Sequence, residues 1–269
     1  MSFTPVLPLK GYSGWMFLKR TQAQQEAAFR NQPSLQRDAA YLRERIGKIR
    51  NAEALVADTR LLRISLTAFG LEGDIQNRFF IRKVLEEGTL RDGALANRLA
   101  DKRYREFSAA FGFGDLSPPR NVGSDFPEKL LNRYLAARFQ AEVGNQNTDY
   151  RLALNAQGEL ARLAQTTASE RTKWFSVLGS PPLRQVFEKA FGLPSAFAAL
   201  DLDKQVETLE RRSRATFGEP TITQFSDPGN RDKLLRLFLV RSESLTLGLG
   251  SSQAQNALTL LQQSRPLRF

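Results

Sequence analysis

The chain has 269 residues, with 39 Lys plus Arg against 28 Asp plus Glu, and it contains neither His nor Cys. Without these two residue types there is no Ser-His-Asp triad, no Cys nucleophile, no disulfide and no zinc site of the usual ligand set. A composition of 41% hydrophobic and 10% aromatic residues is typical of a chain with a packed core. What remains is Lys, Tyr, Ser and carboxylate chemistry, or no catalysis at all.

The first residues are apolar but carry several residues that interrupt regular structure: Pro5, Pro8, Gly11 and Gly14. No small-residue cleavage site follows them, so a cleaved signal is not expected. We predict that residues 1–20 form an extended N-terminal arm. Its consecutive Trp15, Met16 and Phe17 are candidate contacts for a partner protein. The alternative is that these side chains fasten the arm to the body of the protein.

Helical periodicity dominates the rest of the chain, and alternation typical of strands does not extend beyond four or five residues. One apolar face runs from Leu55 to Phe69 behind Asn51, a residue type that caps helix N-termini. Four further sites carry residue pairs typical of helix starts: Asp74 before Ile75, Asp125 with Pro127, Ser180 with Pro181, and Asp227 with Pro228. The sequence predicts an all-α fold of about ten helices.

A short signal recurs at the ends of these helical patterns. It reads Ala68-Phe69-Gly70-Leu71, then Ala110-Phe111-Gly112-Phe113, then Ala190-Phe191-Gly192-Leu193, with a looser copy at Thr216-Phe217-Gly218. A glycine just past a helix adopts the left-handed conformation at little cost, and the next apolar residue folds back on the last turn. We predict that all four are helix stops built into the core.

The repeated signal also suggests how the chain is divided. We predict one helical lobe over residues 21–117 and a second over residues 124–269, separated where Pro118, Pro119 and Gly123 interrupt the helices. A diverged internal repeat would explain the similarity between the lobes. Convergent helix caps are the alternative, because the spacings differ between the copies and such caps produce short matches easily.

The net charge of +11 raises the question of a polyanionic partner. The densest basic run is Arg211, Arg212 and Arg214, which we treat as candidate partner contacts. Acidic residues are interleaved with most basic clusters, and an Arg-rich coding bias also explains the charge. Nucleic-acid binding by a basic helical protein is therefore kept as the alternative function and is not the favoured one.

No cofactor, metal or catalytic residue is predicted. The Gly112-Phe113-Gly114 run has Ser117 where a dinucleotide fingerprint needs its third glycine, and it follows no strand. Asp201 and Asp203 fit the first turn of a helix better than a calcium loop. The uncharged stretch of residues 244–264 holds too many Gln and Asn for a membrane span and is expected to be a surface helix.

One region carries a family resemblance. Ala68-Phe69-Gly70-Leu71 continues through Leu95-Ala96-Asn97-Arg98-Leu99-Ala100-Asp101 to Tyr104-Arg105-Glu106-Phe107. These residues resemble a bacterial, mainly alphaproteobacterial, family of domains of unknown function whose members are often encoded among flagellar genes. Pro181-Pro182-Leu183-Arg184, which leads into Ala190-Phe191-Gly192-Leu193, also resembles that family.

The resemblance implies a non-enzymatic structural or assembly protein of the bacterial flagellum that acts through protein contacts. Flagellar or assembly proteins are the partners that it implies. The protein would be cytoplasmic, or exported through the flagellar apparatus without a cleaved signal. The family contributes no catalytic or ligand residues that could be assigned to positions of this sequence.

Overall fold

The computed structural model describes residues 3–246 of the chain. These residues form thirteen α-helices, five short 3-10 helices and no strand, which confirms the predicted all-α fold. The α-helices are α1 Gly11–Arg30, α2 Pro33–Arg45, α3 Ala52–Ala57, α4 Thr59–Ala68, α5 Arg78–Glu87, α6 Leu95–Arg98, α7 Arg103–Phe111, α8 Phe126–Gln146, α9 Thr148–Ala164, α10 Glu170–Leu178, α11 Pro181–Phe191, α12 Leu202–Phe217 and α13 Pro228–Thr246. The 3-10 helices are η1 Ile46–Lys48, η2 Glu72–Asp74, η3 Arg120–Val122, η4 Ser195–Ala199 and η5 Thr223–Ser226.

The described residues divide into two compact units, each assembled from separate parts of the chain. Unit 1 comprises residues 3–6, 18–151 and 176–181, and unit 2 comprises residues 7–17, 152–175 and 182–246. The chain passes from one unit to the other before α1, between Val6 and Leu7, and then within α1, α9, α10 and the first turn of α11. The surface helix expected over residues 244–264 lies, beyond Thr246, outside the described residues.

The segment predicted to separate two lobes is a connection within unit 1. Its Asn121 is fully buried, and the side-chain amide donates to the carbonyl oxygens of Ile46 and Ile49 at 2.7 Å each. Because these bonds join η3 to both ends of η1, they hold the Pro- and Gly-rich segment against the body of the unit. Whether the lobes arose by duplication stays a prediction.

The prediction of an extended arm over residues 1–20 is wrong from Gly11 onward, because α1 begins there. Gly11 has a φ of +59°, which lets the chain turn into the helix. Two residues before the helix are held within unit 1: the Phe3 ring lies 5.4 Å from that of Phe29, and Val6 exchanges two hydrogen bonds with the Gln25 side chain.

Asn51 caps a helix as predicted, since its side chain accepts from the Ala54 N–H at 2.8 Å. The helix is shorter than its apolar face suggests. Asp58 stops α3 and starts α4, because its carboxylate accepts from the backbone N–H groups of Arg60 and Leu61. A continuous apolar stripe therefore covers two helices, which an N-capping carboxylate separates.

Three of the four predicted helix starts are confirmed: α8 follows Asp125, α11 begins at Pro181 and α13 begins at Pro228. The fourth is wrong. Asp74 ends η2, and α5 begins only at Arg78. The Asp74 carboxylate accepts instead from the Tyr104 hydroxyl, at 2.6 Å, and from the Asn77 amide.

All four Phe-Gly signals end helices, and each glycine has a positive φ: Gly70, Gly112, Gly192 and Gly218. The two Ala-Phe-Gly-Leu copies form Schellman caps, in which the Leu71 N–H donates to the Leu66 carbonyl and the Leu193 N–H donates to that of Glu188, both at 2.9 Å. The other two form a single N–H bond from glycine to the carbonyl four residues earlier. The predicted helix stops are confirmed.

The phenylalanines of these caps belong to the aromatic core of each unit. In unit 1 the rings of Phe69, Phe107, Phe111 and Phe126 follow one another at 5.1 to 5.3 Å. In unit 2 the corresponding series is Phe187, Phe191, Phe217 and Phe225, at 5.2 to 6.3 Å. Each cap thus fixes a helix end and an element of the core together.

Candidate functional site

A buried carboxylate in unit 1 binds side chains from two other helices. Asp38 lies on the face of α2 that also carries Leu35, Ala39 and Leu42, and it is only 6% exposed. It accepts hydrogen bonds from Arg60 and Arg63 of α4 and from the hydroxyl of Tyr134 on α8. The last bond is 2.6 Å long. We call these four residues the Asp38 cluster.

The spacing of the two arginines explains the geometry. Residues three apart on a helix lie on one face, so Arg60 Nε and Arg63 Nη2 both reach Asp38 Oδ1, at 2.9 and 3.1 Å. Arg63 Nη2 also donates to Oδ2 at 3.0 Å. A charged residue on an apolar helix face is thereby satisfied on both oxygens.

The electrostatics fix the charges of the cluster. Burial alone would raise the pKa of Asp38, but the hydrogen bonds from Tyr134, Arg60 and Arg63 outweigh it and lower that pKa. Burial and the bond to Asp38 raise the pKa of Tyr134. Both pKa values are displaced away from 7. Asp38 therefore stays ionised and Tyr134 stays neutral near pH 7, and the pair does not exchange protons.

The cluster opens to solvent on the side of its arginines. The side chains of Arg60 and Arg63 are 37% and 41% exposed. The Arg60 guanidinium lies 4.6 Å from the ring centroid of Tyr41, and Arg45 lies 4.9 Å from the same centroid. The Tyr41 hydroxyl donates to Asp58 at 2.9 Å, which holds the ring in place.

A second polar cluster lies in unit 2. The Glu170 carboxylate at the start of α10 accepts from the backbone N–H of Ile222 at 2.6 Å and from the Thr223 hydroxyl. The ammonium group of Lys173, a buried residue, donates to Glu170 at 3.0 Å and to the Thr223 hydroxyl at 2.7 Å. We call these residues the Glu170 cluster. The Thr223 hydroxyl thus donates to Glu170 and accepts from Lys173, so the arrangement fastens η5 to α10.

Unit 1 also has a small cleft between α2 and α8, with a volume of about 150 Å³. Buried leucines, among them Leu35 and Leu131, form its floor, and the Arg43–Glu128 ion pair bridges it at 2.6 Å. Pockets for drug-sized ligands and cofactors usually measure at least about 300 Å³. The cleft is too small for such a molecule.

The two groups of predicted contact residues have different surroundings. Trp15 is 1% exposed and belongs to the core, as in the alternative that it fastens the N-terminal segment, whereas Met16 is 50% exposed; Phe17 lies between these extremes. On α12 the predicted basic residues are all exposed: Arg211, Arg212 and Arg214. Within residues 3–246 none of the three forms an ion pair.

Sequence reasoning missed the Asp38 cluster. The signal that could have found it is an aspartate on the apolar face of α2 together with two arginines three positions apart on α4. The sequence does not say that these helices meet, and Tyr134 lies 96 positions from Asp38.

The described part of the chain brings together no group of three potential metal ligands. None of its helices has the length and apolar character that a membrane span needs.

These features define an all-α protein with two compact units and a satisfied polar cluster in each. The chain belongs to the family described as "Protein of unknown function (DUF1217)", whose model matches residues 68–230. It is similar to protein AGR_C_984 from Agrobacterium tumefaciens, whose X-ray crystal structure has 27% sequence identity and a TM-score of 0.73, over 89% of this chain and 98% of that one. No curated protein matches the sequence.

Proposed function

We propose that the protein is a non-enzymatic structural or assembly component associated with the bacterial flagellum, and that it acts through contacts with other flagellar or assembly proteins. The flagellar part rests on the resemblance of the stretch that begins at Ala68 to a family often encoded among flagellar genes. The family match to residues 68–230 begins at the same residue.

One structural observation supports action through protein contacts. The Asp115 carboxylate accepts from the backbone N–H groups of Thr89 and Leu90, at 2.8 and 3.0 Å, and from the Thr89 hydroxyl. Leu90 is 72% exposed, and Leu116, which follows Asp115, is 40% exposed. Scattered exposed leucines need no explanation. The carboxylate fixes the backbone of Leu90, and the Leu116 N–H donates to the Gly112 carbonyl at 3.0 Å. Such ordered positions favour a partner contact, because binding then costs less conformational entropy.

The polar clusters are consistent with a non-enzymatic role. The pKa of Asp38 is lowered and that of Tyr134 is raised, whereas a general acid or base works best when its pKa lies near the operating pH. Their hydrogen bonds join helices, which is a structural task.

The test is deletion of the gene in its native host, with swimming measured in soft agar and filaments counted by electron microscopy. We expect reduced swimming or missing filaments, restored by the wild-type gene. Normal swimming with intact filaments would overturn the flagellar assignment.

A basic nucleic-acid-binding protein is the second candidate. The observation in its favour is the exposed run Arg211, Arg212 and Arg214, which forms no ion pair within residues 3–246. Binding of this kind must weaken steeply as salt increases, because bound cations release counterions from the phosphates. If DNA and RNA fail to bind at low salt, this candidate is excluded.

A further inference from the structure

We infer that the exposed side of the Asp38 cluster, formed by Arg45, Arg60, Arg63 and Tyr41, binds a Glu or Asp side chain of a partner protein. We call these four residues the arginine face. The inference rests on the proposed action through protein contacts and adds the chemistry of the partner: an acidic segment with apolar residues beside its carboxylate.

The donors that remain free determine what the arginine face can bind. Arg60 uses Nε for Asp38, and its two Nη groups donate to no atom of the described residues. The Arg45 side chain stacks on Tyr41 but makes no hydrogen bond and no ion pair within residues 3–246. The outer edge of a guanidinium group offers two parallel N–H groups at the spacing of the two carboxylate oxygens. Arg60 therefore presents a vacant carboxylate fork.

The arginine face is also ordered before any partner arrives. Asp38 holds Arg60 and Arg63 through the same oxygen atom, Oδ1. Stacking on Tyr41 restrains Arg60 and Arg45 in addition, and Asp58 holds Tyr41 in turn. An arginine that is already positioned loses less side-chain entropy on binding than one that moves freely in solvent.

The local charge favours a carboxylate over a phosphate group. Three guanidinium groups stand beside two carboxylates, those of Asp38 and Asp58, so the arginine face carries about one net positive charge. One carboxylate balances this charge. A phosphate monoester, with a charge of about −2 at neutral pH, would leave an excess negative charge beside Asp58. The Tyr41 ring and the arginine stems provide apolar area for the neighbours of the bound residue.

Binding is measured with the full-length protein and two labelled peptides, acetyl-Ala-Glu-Glu-Leu-Glu-Ala-amide and the same peptide with Gln in place of Glu. Fluorescence anisotropy at low salt reports the affinity. We expect the Glu peptide to bind and the Gln peptide to bind at least about tenfold more weakly, because charge-assisted hydrogen bonds are about twice as strong as neutral ones.

Three variants locate the binding. Arg60→Lys keeps the charge beside Asp38 but loses the fork, and it should weaken binding of the Glu peptide at least about fivefold. Arg45→Gln does not touch Asp38, so it keeps the fold and should weaken binding about threefold. Arg98→Gln removes an exposed charge of unit 1 at another place and should leave the affinity unchanged. Circular dichroism confirms that each variant is folded.

Equal affinity of all variants for the Glu peptide would overturn the inference, as would absence of binding by the wild-type protein. Stronger competition by inorganic phosphate or an oligonucleotide than by sodium acetate would also overturn it, in favour of a phosphate ligand. The deletion strain separates this result from the proposed function. If the deletion strain swims normally, the flagellar role is rejected but the peptide binding is not. If the strain fails to swim and the protein does not bind the Glu peptide, only the inference about the arginine face is rejected.

Discussion

The two units use the same chemical group, a carboxylate with several donors, in different ways. In unit 1, Asp38 is buried and accepts only from side chains, which come from two other helices up to 96 positions away. In unit 2, Glu170 is one-third exposed and accepts partly from backbone N–H groups at the start of η5. A carboxylate that accepts hydrogen bonds from side chains joins helices to one another, whereas one that accepts from backbone N–H groups fixes a helix end. Asp38 should be the more sensitive to mutation, because its loss leaves buried hydrogen-bond donors from several helices without an acceptor.

Asp38→Asn should have the largest effect. The amide cannot balance two guanidinium groups, and the buried Tyr134 hydroxyl loses a charged acceptor. We expect the free energy of unfolding to fall by about 3 kcal/mol, as measured by urea denaturation. Tyr134→Phe is the matched control, because it removes one hydroxyl and leaves Asp38 paired with both arginines. It should cost about 1 kcal/mol. If the two variants are equally stable, Asp38 does not organise the cluster.

Glu170→Gln tests the second unit and should cost about 2 kcal/mol at neutral pH. The amide oxygen can still accept from Ile222, but the buried ammonium of Lys173 loses its counter-charge.

The same variant should change the acid dependence of stability. Burial would raise the pKa of Glu170, but bonds from Thr223, Lys173 and the backbone outweigh it and lower that pKa. A lowered pKa gives stability that is complete above the unfolded-state value and is lost as pH falls through the folded-state value. Urea denaturation from neutral pH down to about pH 3 should show a smaller acid loss in Glu170→Gln than in the wild type. Identical acid profiles would contradict the role of this carboxylate.

The Schellman caps allow a direct comparison between the units. Gly70 has φ +68° and Gly192 has φ +61°, so alanine at either position is strained by about 1 to 2 kcal/mol. An added Cβ would lie 3.1 Å from Arg103 Nη1 at Gly70 but 3.4 Å from Arg241 Nη1 at Gly192. Asp101 holds the Arg103 side chain through three hydrogen bonds, so the added Cβ displaces that side chain less easily. Gly70→Ala should therefore be the more destabilising of the two variants in urea denaturation, and the reverse order would refute this explanation.

The sequence predicted what local chemistry determines. The helix class, the four glycine caps and the starts at Asp125, Pro181 and Pro228 follow from residues within a few positions of one another. The sequence did not predict the features that depend on tertiary packing. The stop at Asp58 interrupts an apolar stripe that is otherwise continuous, and the Asp38 cluster depends on the meeting of α2, α4 and α8. The burial of Trp15 likewise depends on what the first turns of α1 pack against.

Gly158→Ala should have the smallest effect and the opposite sign. Gly158 lies within α9 in unit 2 and is exposed, and a Cβ there would meet no atom within 4 Å other than its chain neighbours and the backbone of its own helix. Alanine there changes helix propensity alone and should stabilise the protein by about 0.5 to 1 kcal/mol. Since the substitution touches neither polar cluster, its gain should add to the losses of Asp38→Asn and Glu170→Gln in the double variants. A gain that disappears in combination with Glu170→Gln would mean that α9 depends on the Glu170 cluster, and that this carboxylate organises more of unit 2 than the end of one helix.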